Sequence, residues 1–397
     1  MGISYQIQPD VITCYRVQAT HGALAANDAT ARRFRTNTGP GMSLTKAPII
    51  PGEVKSNLLS TRPRHGPRNV SGNLTSDLSL TAFDPLFEAM CRGTFSATLT
   101  SASFTMGYVA ATGVLTRSAG SFIGELLKVG DVIVPAGAGA GVNVGVPGIV
   151  VAVGTTTLTI GNKSSWVDIT AGAGVTVTRP KKVIDGVPPV LRDFSIEHFE
   201  AGAANSERYI DCRLHTFAFA QPPEGDVTLD VGFTGLDRLL GTTRYFGAAT
   251  EYTSPPMAAV DAIVCYNGSQ VLNLSACSLS GNLQVQAPFV VGAAVSPNAF
   301  DGVKQIAAQL TFLKTGQSNI SAFQNETGPF SLQIMYKEVG TQGFTCVNIP
   351  AFTLGSATAS QRIGASGAQL EVVDLLIGEA SGTDKDPTMM SICTSAT

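Results

Sequence analysis

Apolar and polar residues alternate along much of the chain with the two-residue period of a β-strand. The clearest run is residues 227–233, in which Val, Leu, Val and Phe alternate with Thr, Asp and Gly. A strand with this pattern places one face in a core and the other toward solvent or a channel. Similar short runs rich in Val and Thr lie between turns containing Gly and Pro, so the sequence predicts a mainly β fold.

Segments of the first part of the chain recur in the same order in its last third. Val70-Ser-Gly-Asn-Leu-Thr resembles Ile306-Ala-Ala-Gln-Leu-Thr, and Phe194-Ser-Ile-Glu resembles Phe330-Ser-Leu-Gln. The order predicts two copies of one β fold, with chance similarity between β-rich segments as the alternative. The remaining matches align residues 209–214 with 344–349, residues 227–233 with 368–374, and Ala82-Phe83 with Ala322-Phe323.

The first copy contains a short helix and is interrupted by an extra segment. Asp84 is placed to cap the helix, Pro85 suits its first position and Gly93 suits its end. Residues 94–190 combine Lys-Val-Gly-Asp-Val with short strands of Val and Thr, and they have no counterpart in the second copy. They predict a small inserted β-barrel with adjacent ends, and Trp166 is predicted to fill its core.

These observations divide the chain into five parts. The predicted parts are an N-terminal arm (1–30), a discontinuous first domain (31–93 and 191–245), the inserted domain (94–190), a second domain (251–380) and a C-terminal tail (381–397).

Composition favours a protein that assembles with itself. Only 14% of the 397 residues are charged. This fraction lies well below the usual value of about a quarter, as expected for a chain that covers much of its surface with copies of itself. The seven cysteines are scattered without a CxxC pair, which predicts reduced, buried thiols. No apolar stretch reaches the roughly 18 residues of a membrane span, and no secretion signal is visible.

Several segments, taken in order, resemble the tail tube proteins of long-tailed bacteriophages. The resemblance covers roughly residues 20–95 and 190–240, and it reaches the last third of the chain mainly through the internal repeat. It rests on Arg33-Phe-Arg-Thr, Met42-Ser-Leu-Thr-Lys, Gly66-Pro-Arg-Asn-Val-Ser-Gly-Asn-Leu, Phe83-Asp-Pro-Leu-Phe-Glu-Ala-Met with Gly93-Thr-Phe, Phe194-Ser-Ile-Glu and Phe217-Ala-Phe-Ala-Gln-Pro-Pro-Glu-Gly-Asp-Val-Thr-Leu.

The resemblance implies a structural virion protein without enzymatic activity or cofactors. Proteins of this family are β-sandwiches or half-barrels with one flanking helix, and their rings stack into the tube through which DNA leaves the capsid. It implies assembly in the host cytoplasm, a place in the virion tail, and contacts with the tape measure, terminator and distal tail proteins. DNA is expected to pass through without specific binding.

A duplicated chain changes the expected number of subunits in a ring. If each chain supplies two folds, a channel lined by six folds needs three chains, which predicts a homotrimeric ring with pseudo-sixfold symmetry. A homohexamer, with residues 251–397 as an outer domain, is the alternative. The insert is expected to lie outside the tube and to be dispensable for assembly.

Two long connections are the candidate contacts between stacked rings, because compact domains rarely contain long loops without a use. Residues 49–69 belong to a basic stretch, since residues 32–68 carry eight Lys or Arg and one acidic residue. Residues 251–397 carry five Lys or Arg and ten Asp or Glu, so the two regions have complementary charge. The predicted contact residues are Glu53, Lys55, Arg62, Arg64, His65 and Arg68, and, in the counterpart loop 287–301, Phe289, Phe300 and Asp301.

Other classes of function have weaker support in the sequence. Nucleic-acid binding by the basic stretch lacks interleaved aromatics beyond Phe34, and the whole chain has a net charge of −3. No catalytic or phosphate-binding motif is present, and a glycan-degrading enzyme would need paired carboxylates at an aromatic cleft. His198 and His215 on neighbouring strands could bind a metal, although ordinary strand histidines are far more common. A capsid decoration protein and an exported adhesin remain alternatives.

Overall fold

The protein is mainly antiparallel β, as the computed structural model shows for residues 11–37, 39–53, 55–359 and 367–395. The strands form one large sheet system and one smaller sheet that closes on itself. The predicted fold class, a duplicated β-sandwich with an inserted small barrel, is confirmed.

The strands and helices fall into four groups along the chain. The first group is β1 (Val11–Val17), β2 (Arg32–Phe34), β3 (Gly41–Ile49), β4 (Arg64–Asp77) and helix α1 (Asp84–Met90). The insert contains β5 (Leu99–Thr100), β6 (Phe104–Val109), β7 (Val114–Arg117), β8 (Val132–Ala136), β9 (Gly148–Val153), β10 (Thr157–Ile160) and β11 (Ile169–Arg179). The chain then returns through β12 (Lys181–Val183), β13 (Asp193–Glu200), β14 (Asn205–Gln221), β15 (Thr228–Gly235) and β16 (Asp237–Gly241). The last group is β17 (Ile263–Tyr266), β18 (Ser269–Gln270), β19 (Leu274–Asn282), β20 (Gln305–Leu313), helix α2 (Ser318–Gln324), β21 (Phe330–Lys337), β22 (Phe344–Ala359), β23 (Leu370–Ile377) and β24 (Ser391–Thr394).

Each copy is a sandwich built around one long strand that belongs to two sheets. In the first copy, the second half of β14 pairs with β15 and completes the sheet β3–β4–β15–β14. The first half of β14 pairs with β13, which continues through β1 to β2, and also with β16. In the second copy β22 joins β19–β20–β23 and β18–β17–β21 and β24 in the same way. Both long strands carry a bulge at the change of sheet, after Leu214 and after Leu354. A bulge bends the strand and increases its twist, which suits a strand that passes from one sheet to the other.

Strand register shows which residues of the two copies are equivalent. Val231 lies opposite Leu74, and Val373 lies opposite Leu310, so Leu74 corresponds to Leu310. This correspondence also aligns Val70 with Ile306, as the sequence predicts. Phe194 and Phe330 occupy equivalent positions near the start of β13 and β21, each followed by a bulge.

Other parts of the predicted alignment are wrong in register. The residue equivalent to Tyr209 is Ile349, five residues further than predicted, because Tyr209 pairs with Ile196 and Ile349 with Leu332. Residues 227–233 align with 369–375, a shift of one residue. A one-residue shift exchanges the two faces of a strand, so a pattern of alternating residues alone did not settle it.

The Ala-Phe pairs are not equivalent, and Asp84 is not a cap. Phe83 is the N-cap residue of α1 and 1% exposed, whereas Phe323 lies inside α2 and is 43% exposed. Asp84 is the first helical residue, and it forms ion pairs with Arg32 and Lys181 instead of a cap hydrogen bond.

The predicted arm and tail both contain strands of the sandwiches. Within residues 1–30, β1 pairs with β13 and buries Cys14 and Tyr15, while residues 1–10 lie outside the described part. Within residues 381–397, β24 is wholly buried between β12 and β22. The sequence does contain a signal for strand β1. Ile12-Thr-Cys-Tyr and Ile263-Val-Cys-Tyr occupy equivalent positions in β1 and β17.

The insert is a closed barrel in the order β11–β6–β7–β10–β9–β8, with β8 returning to β11. Trp166 is 3% exposed and lies in its core, as predicted. The barrel also packs on the second copy. Val132 and Ile149 of the barrel share a buried cluster with Met335 and Phe344. This contact argues against a freely dispensable insert, because removing the barrel would expose that apolar face to water.

A buried ion cluster also links the barrel to the rest of the chain. The Lys182 ammonium lies 2.5 Å from an Asp131 oxygen and 2.7 Å from an Asp386 oxygen, and all three side chains are largely buried. Burial raises the pKa of Asp131, and Lys182 opposes this effect. The cluster joins the barrel, the returning strand β12 and the C-terminal segment.

Candidate assembly surface

The two copies are joined side by side by a continuous β-sheet. Strand β14 pairs with β19 from Thr216–Asn282 to Gln221–Cys277, which produces an eight-stranded antiparallel sheet in the order β3–β4–β15–β14–β19–β20–β23–β22. Leu283 N–H donates to the His215 carbonyl at 2.8 Å and extends the pairing by one residue. We call this contact the internal junction.

At the internal junction, a large side chain on β14 faces a glycine on β19. Phe217 lies opposite Gly281, and a Cβ on that glycine would lie 2.1 Å from the Phe217 ring. Only glycine therefore leaves room for the phenylalanine, which lies in the shared core.

The strands at the two ends of the eight-stranded sheet are equivalent to the strands of the internal junction. Strand β3 corresponds to β19, and the second half of β22 corresponds to the second half of β14. Among the described residues, β3 pairs only with β4, and residues 356–359 of β22 pair only with β23. In the described residues these two edges are thus open and complementary.

The open edge of β3 is capped at one end by side chains of the first copy. Met42 N–H donates to His198 Nε2 at 2.9 Å, and the Tyr209 hydroxyl donates to the Met42 carbonyl at 2.8 Å. Alternate residues of a strand face the same side, so Leu44 and Lys46 also present their backbone groups at this edge. The open part of the edge therefore begins at Leu44.

The capping histidine is held in its neutral form. Burial lowers the pKa of His198 to about 4, although Glu207 and Glu197 act in the opposite direction. Its Nδ1 lies 2.9 Å from the Thr13 hydroxyl, so the neutral ring can donate there and accept from Met42. Protonation of Nε2 would remove the acceptor for Met42.

We expect stability to fall as the pH drops from about 6.5 to 4. In this window the unfolded histidine takes up a proton and the folded one does not, so acid favours unfolding. The loss is at most about 3 kcal/mol. Urea unfolding of the wild type and of His198→Gln at several pH values measures it. The glutamine variant should show a flatter dependence, and an equally steep one would contradict this role.

The remaining face of the eight-stranded sheet is polar and carries no cation in its central region. It presents Ser and Thr side chains together with Asp230, which binds the Thr75 hydroxyl at 2.7 Å, and Asp374, which binds the Ser356 hydroxyl at 2.6 Å. Residues that alternate onto this face include Ser43, Thr45, Asn73, Thr75, Asp230, Thr216, Ala218, Ser278, Ser280, Ala307, Gln309, Val372, Asp374, Ser356 and Thr358, with the exposed Leu376 beside them on β23.

The first predicted contact segment is shorter as a loop than the sequence indicated. Residues 64–69 belong to β4 and Ile49 to β3, which leaves a loop of residues 50–63. Glu53 accepts a hydrogen bond from Thr61 within the loop at 2.7 Å. In the described part of the chain, four of the predicted contact residues are exposed and form no ion pair: Lys55, Arg62, Arg64 and His65.

Two predicted contact residues are already paired within the chain. Arg68 binds Asp237 at 2.7 Å, and Asp301 binds Arg92 at 3.2 Å and Arg213 at 2.8 Å. Neither is therefore free to bind a neighbouring ring. In the counterpart loop, Phe289 and Phe300 are 48% and 53% exposed.

His198 and His215 have different partners, and in the described part of the chain they do not belong to the one group of possible metal ligands. His198 pairs across the strands with Glu207, and His215 Nδ1 accepts a hydrogen bond from Val285 N–H at 3.1 Å. His21, Asp193 and Asp211 do bring possible ligand atoms within 4.8 Å of one another. Asp193 is however bound by Arg213 at 2.7 Å, which makes this cluster an ion-pair network.

A scan against models of protein families finds no match, and a search of curated proteins finds no similar sequence. In the described part of the chain, none of the helices has the length and apolar character needed to cross a membrane.

Proposed function

We propose that the protein is a self-assembling tail tube subunit, whose copies join side by side into a closed ring and stack into a tube. The internal junction carries the proposal, because one chain already shows how one fold joins the next. Repeating the same join between chains places β22 of one chain beside β3 of its neighbour. Closure into a ring then leaves no open strand edge, which is how β proteins avoid uncontrolled edge association.

Equivalence with the internal junction specifies the register between chains. Thr216 opposite Asn282 corresponds to Ser356 opposite Thr45 of the neighbour, and Phe217 opposite Gly281 corresponds to Ala357 opposite Leu44. In the internal junction the large residue lies on β14 and the small one on β19, whereas between chains the large residue lies on β3 and the small one on β22. The two pairs therefore fill comparable space. Such packing supports the register independently of the backbone.

The polar face of the eight-stranded sheet suits the wall of a DNA channel. Phosphate binding depends on Lys and Arg, whereas the charged residues in the central region of this face are Asp230 and Asp374. DNA would therefore pass without being held. In this proposal three chains supply six folds, and the tape measure, terminator and distal tail proteins are the partners at and inside the tube.

Disulfide trapping tests the proposed junction directly. In the variant Ser356→Cys with Thr45→Cys, we expect oxidation to link chains to one another, up to a covalently closed ring. The native cysteines are all buried and should not interfere. Denaturing gels without reductant measure the products.

Two matched variants control this experiment. Thr216→Cys with Asn282→Cys should form a disulfide within one chain and leave its mass unchanged, which checks the chemistry at the known junction. Ser356→Cys with Ser43→Cys keeps the same face but lies two residues out of register, and it should link much less. Equal linking by the in-register and out-of-register pairs, or none by either, would refute the proposed junction.

A further inference from the structure

In the first copy, the end of helix α1 is contacted by a loop from the second copy. Its apolar side chains are buried, with Leu86 and Met90 at 0% exposure. The loop of residues 283–304, which connects β19 to β20, reaches the end of this helix. Arg92, just after α1, donates to the Leu283 carbonyl at 2.7 Å and to the Gly302 carbonyl at 2.9 Å.

An ion-pair group fixes that loop on the first copy. Asp301 lies between Arg92 and Arg213, and its side chain is 8% exposed. Arg213 also donates to the Ala299 carbonyl at 2.6 Å. The loop therefore contributes one acid, and the surface beneath it contributes two cations.

In the part of the chain that the structure describes, no loop covers the equivalent surface of the second copy. Helix α2 has no buried residue, and Phe323 is 43% exposed. Glu326 is exposed and stands where Arg92 stands in the first copy, eight residues after the start of the helix. The backbone supports this correspondence, since both residues adopt the left-handed conformation, with φ of 46° at Arg92 and 51° at Glu326.

The loop equivalent to residues 283–304 is the 50–63 loop with the first residues of β4. It is exposed in the described part of the chain, with Leu58 at 92% and Leu59 at 66%. The equivalence of β4 and β20 places His65 at the position of Asp301, beside Arg62 and Arg64. Arg62 and Arg64 therefore give this loop positive charge where its counterpart carries Asp301, and Glu326 gives the helix surface negative charge where Arg92 stands in the first copy.

We infer that the 50–63 loop of one chain packs on helix α2 of the adjacent chain in the same ring, with His65 and its neighbouring arginines facing Glu326. The inference rests on the proposed ring, and it assigns the loop to a lateral contact instead of the contact between stacked rings that the sequence predicts. Both partners expose large apolar side chains, Leu58 and Leu59 on the loop and Phe323 on the helix, and opposite charges fix their alignment.

A charge exchange tests the inference. Glu326→Arg places a cation against His65, Arg62 and Arg64, and His65→Asp places an acid against Glu326. Each single variant should weaken ring assembly about tenfold, measured by sedimentation equilibrium. The double variant recreates between chains the Arg92–Asp301 pair of the first copy, and it should recover wild-type assembly. Glu379→Arg, at an exposed acid after β23, is the control with the same charge change and should assemble normally.

The outcomes separate this inference from the ring itself. Single variants that form normal rings but cannot elongate into tubes would overturn it in favour of a contact between rings. Single variants that behave like the wild type in both respects would also overturn it. Absence of the Ser356→Cys–Thr45→Cys disulfide in the otherwise unchanged chain would refute the ring, and the lateral contact with it.

Discussion

Replacing Lys46 with proline is expected to prevent ring formation while the chain stays folded. In the internal junction, Leu283 N–H donates to the His215 carbonyl at 2.8 Å, and Lys46 and Gly355 are the equivalent residues between chains. Proline removes this donor and places its ring at the open edge. The side chain of Lys46 is exposed, and β3 already contains Pro48, so an edge strand should accept the change.

The loss of ring assembly should be large because the hydrogen bond is removed at every junction between chains. A lost hydrogen bond that leaves a carbonyl unpaired costs about 1–3 kcal/mol. This corresponds to a roughly 5- to 150-fold weaker junction, and a closed ring contains several such junctions. Size-exclusion chromatography with light scattering measures the assembly, and circular dichroism checks the fold. Lys46→Ala, which keeps the N–H, should assemble normally, and normal rings from Lys46→Pro would contradict the proposed pairing.

Lys182→Ala is expected to destabilise the protein by about 3–5 kcal/mol, because it leaves two carboxylates buried without their cation. Asp131 is 1% exposed and Asp386 is 11% exposed, so bulk water solvates these carboxylates poorly. Denaturant unfolding measures the change. The deficit should shrink as the pH falls, since burial raises the pKa of Asp131 and protonation of that carboxyl relieves the buried charge.

Two further variants test whether the unpaired buried carboxylates cause this loss of stability. Lys181→Ala removes a neighbouring lysine whose ion pair with Asp84 is more exposed, and it should cost about 1 kcal/mol or less. The triple variant Lys182→Met, Asp131→Leu, Asp386→Leu replaces the whole cluster with apolar groups and should recover most of the stability. A Lys182→Ala protein as stable as the wild type would show that the cluster does not hold the barrel on the second copy.

The sequence predicts the strands and the duplication well where residue pattern and core position coincide. Val70 and Ile306 are recognisable as equivalents because both point into the core and are followed by the same Leu-Thr pair. Trp166 was likewise predictable as a core residue, since a large apolar side chain in a small barrel has few other places. The Cys-Tyr pairs of β1 and β17 also indicate the duplication, but the first lies in a segment whose sequence resembles an N-terminal arm.

The contacts between copies could not be predicted from local pattern. Phe217 and Gly281 fit each other only because β14 and β19 are neighbours in the sheet, and 64 positions separate them in the chain. Asp301 looked like a free acid in an exposed loop, but its partners Arg92 and Arg213 lie in the other copy. Ion pairs between distant segments leave no periodic signal in a sequence.

The most direct test of the proposed function is the mass of the assembled ring, measured by native mass spectrometry of the purified protein. We expect a closed assembly of three chains, in which six folds follow one another through alternating internal and intermolecular junctions. A ring of six chains would contradict the role of the duplication. A monomer at every concentration would contradict the ring itself.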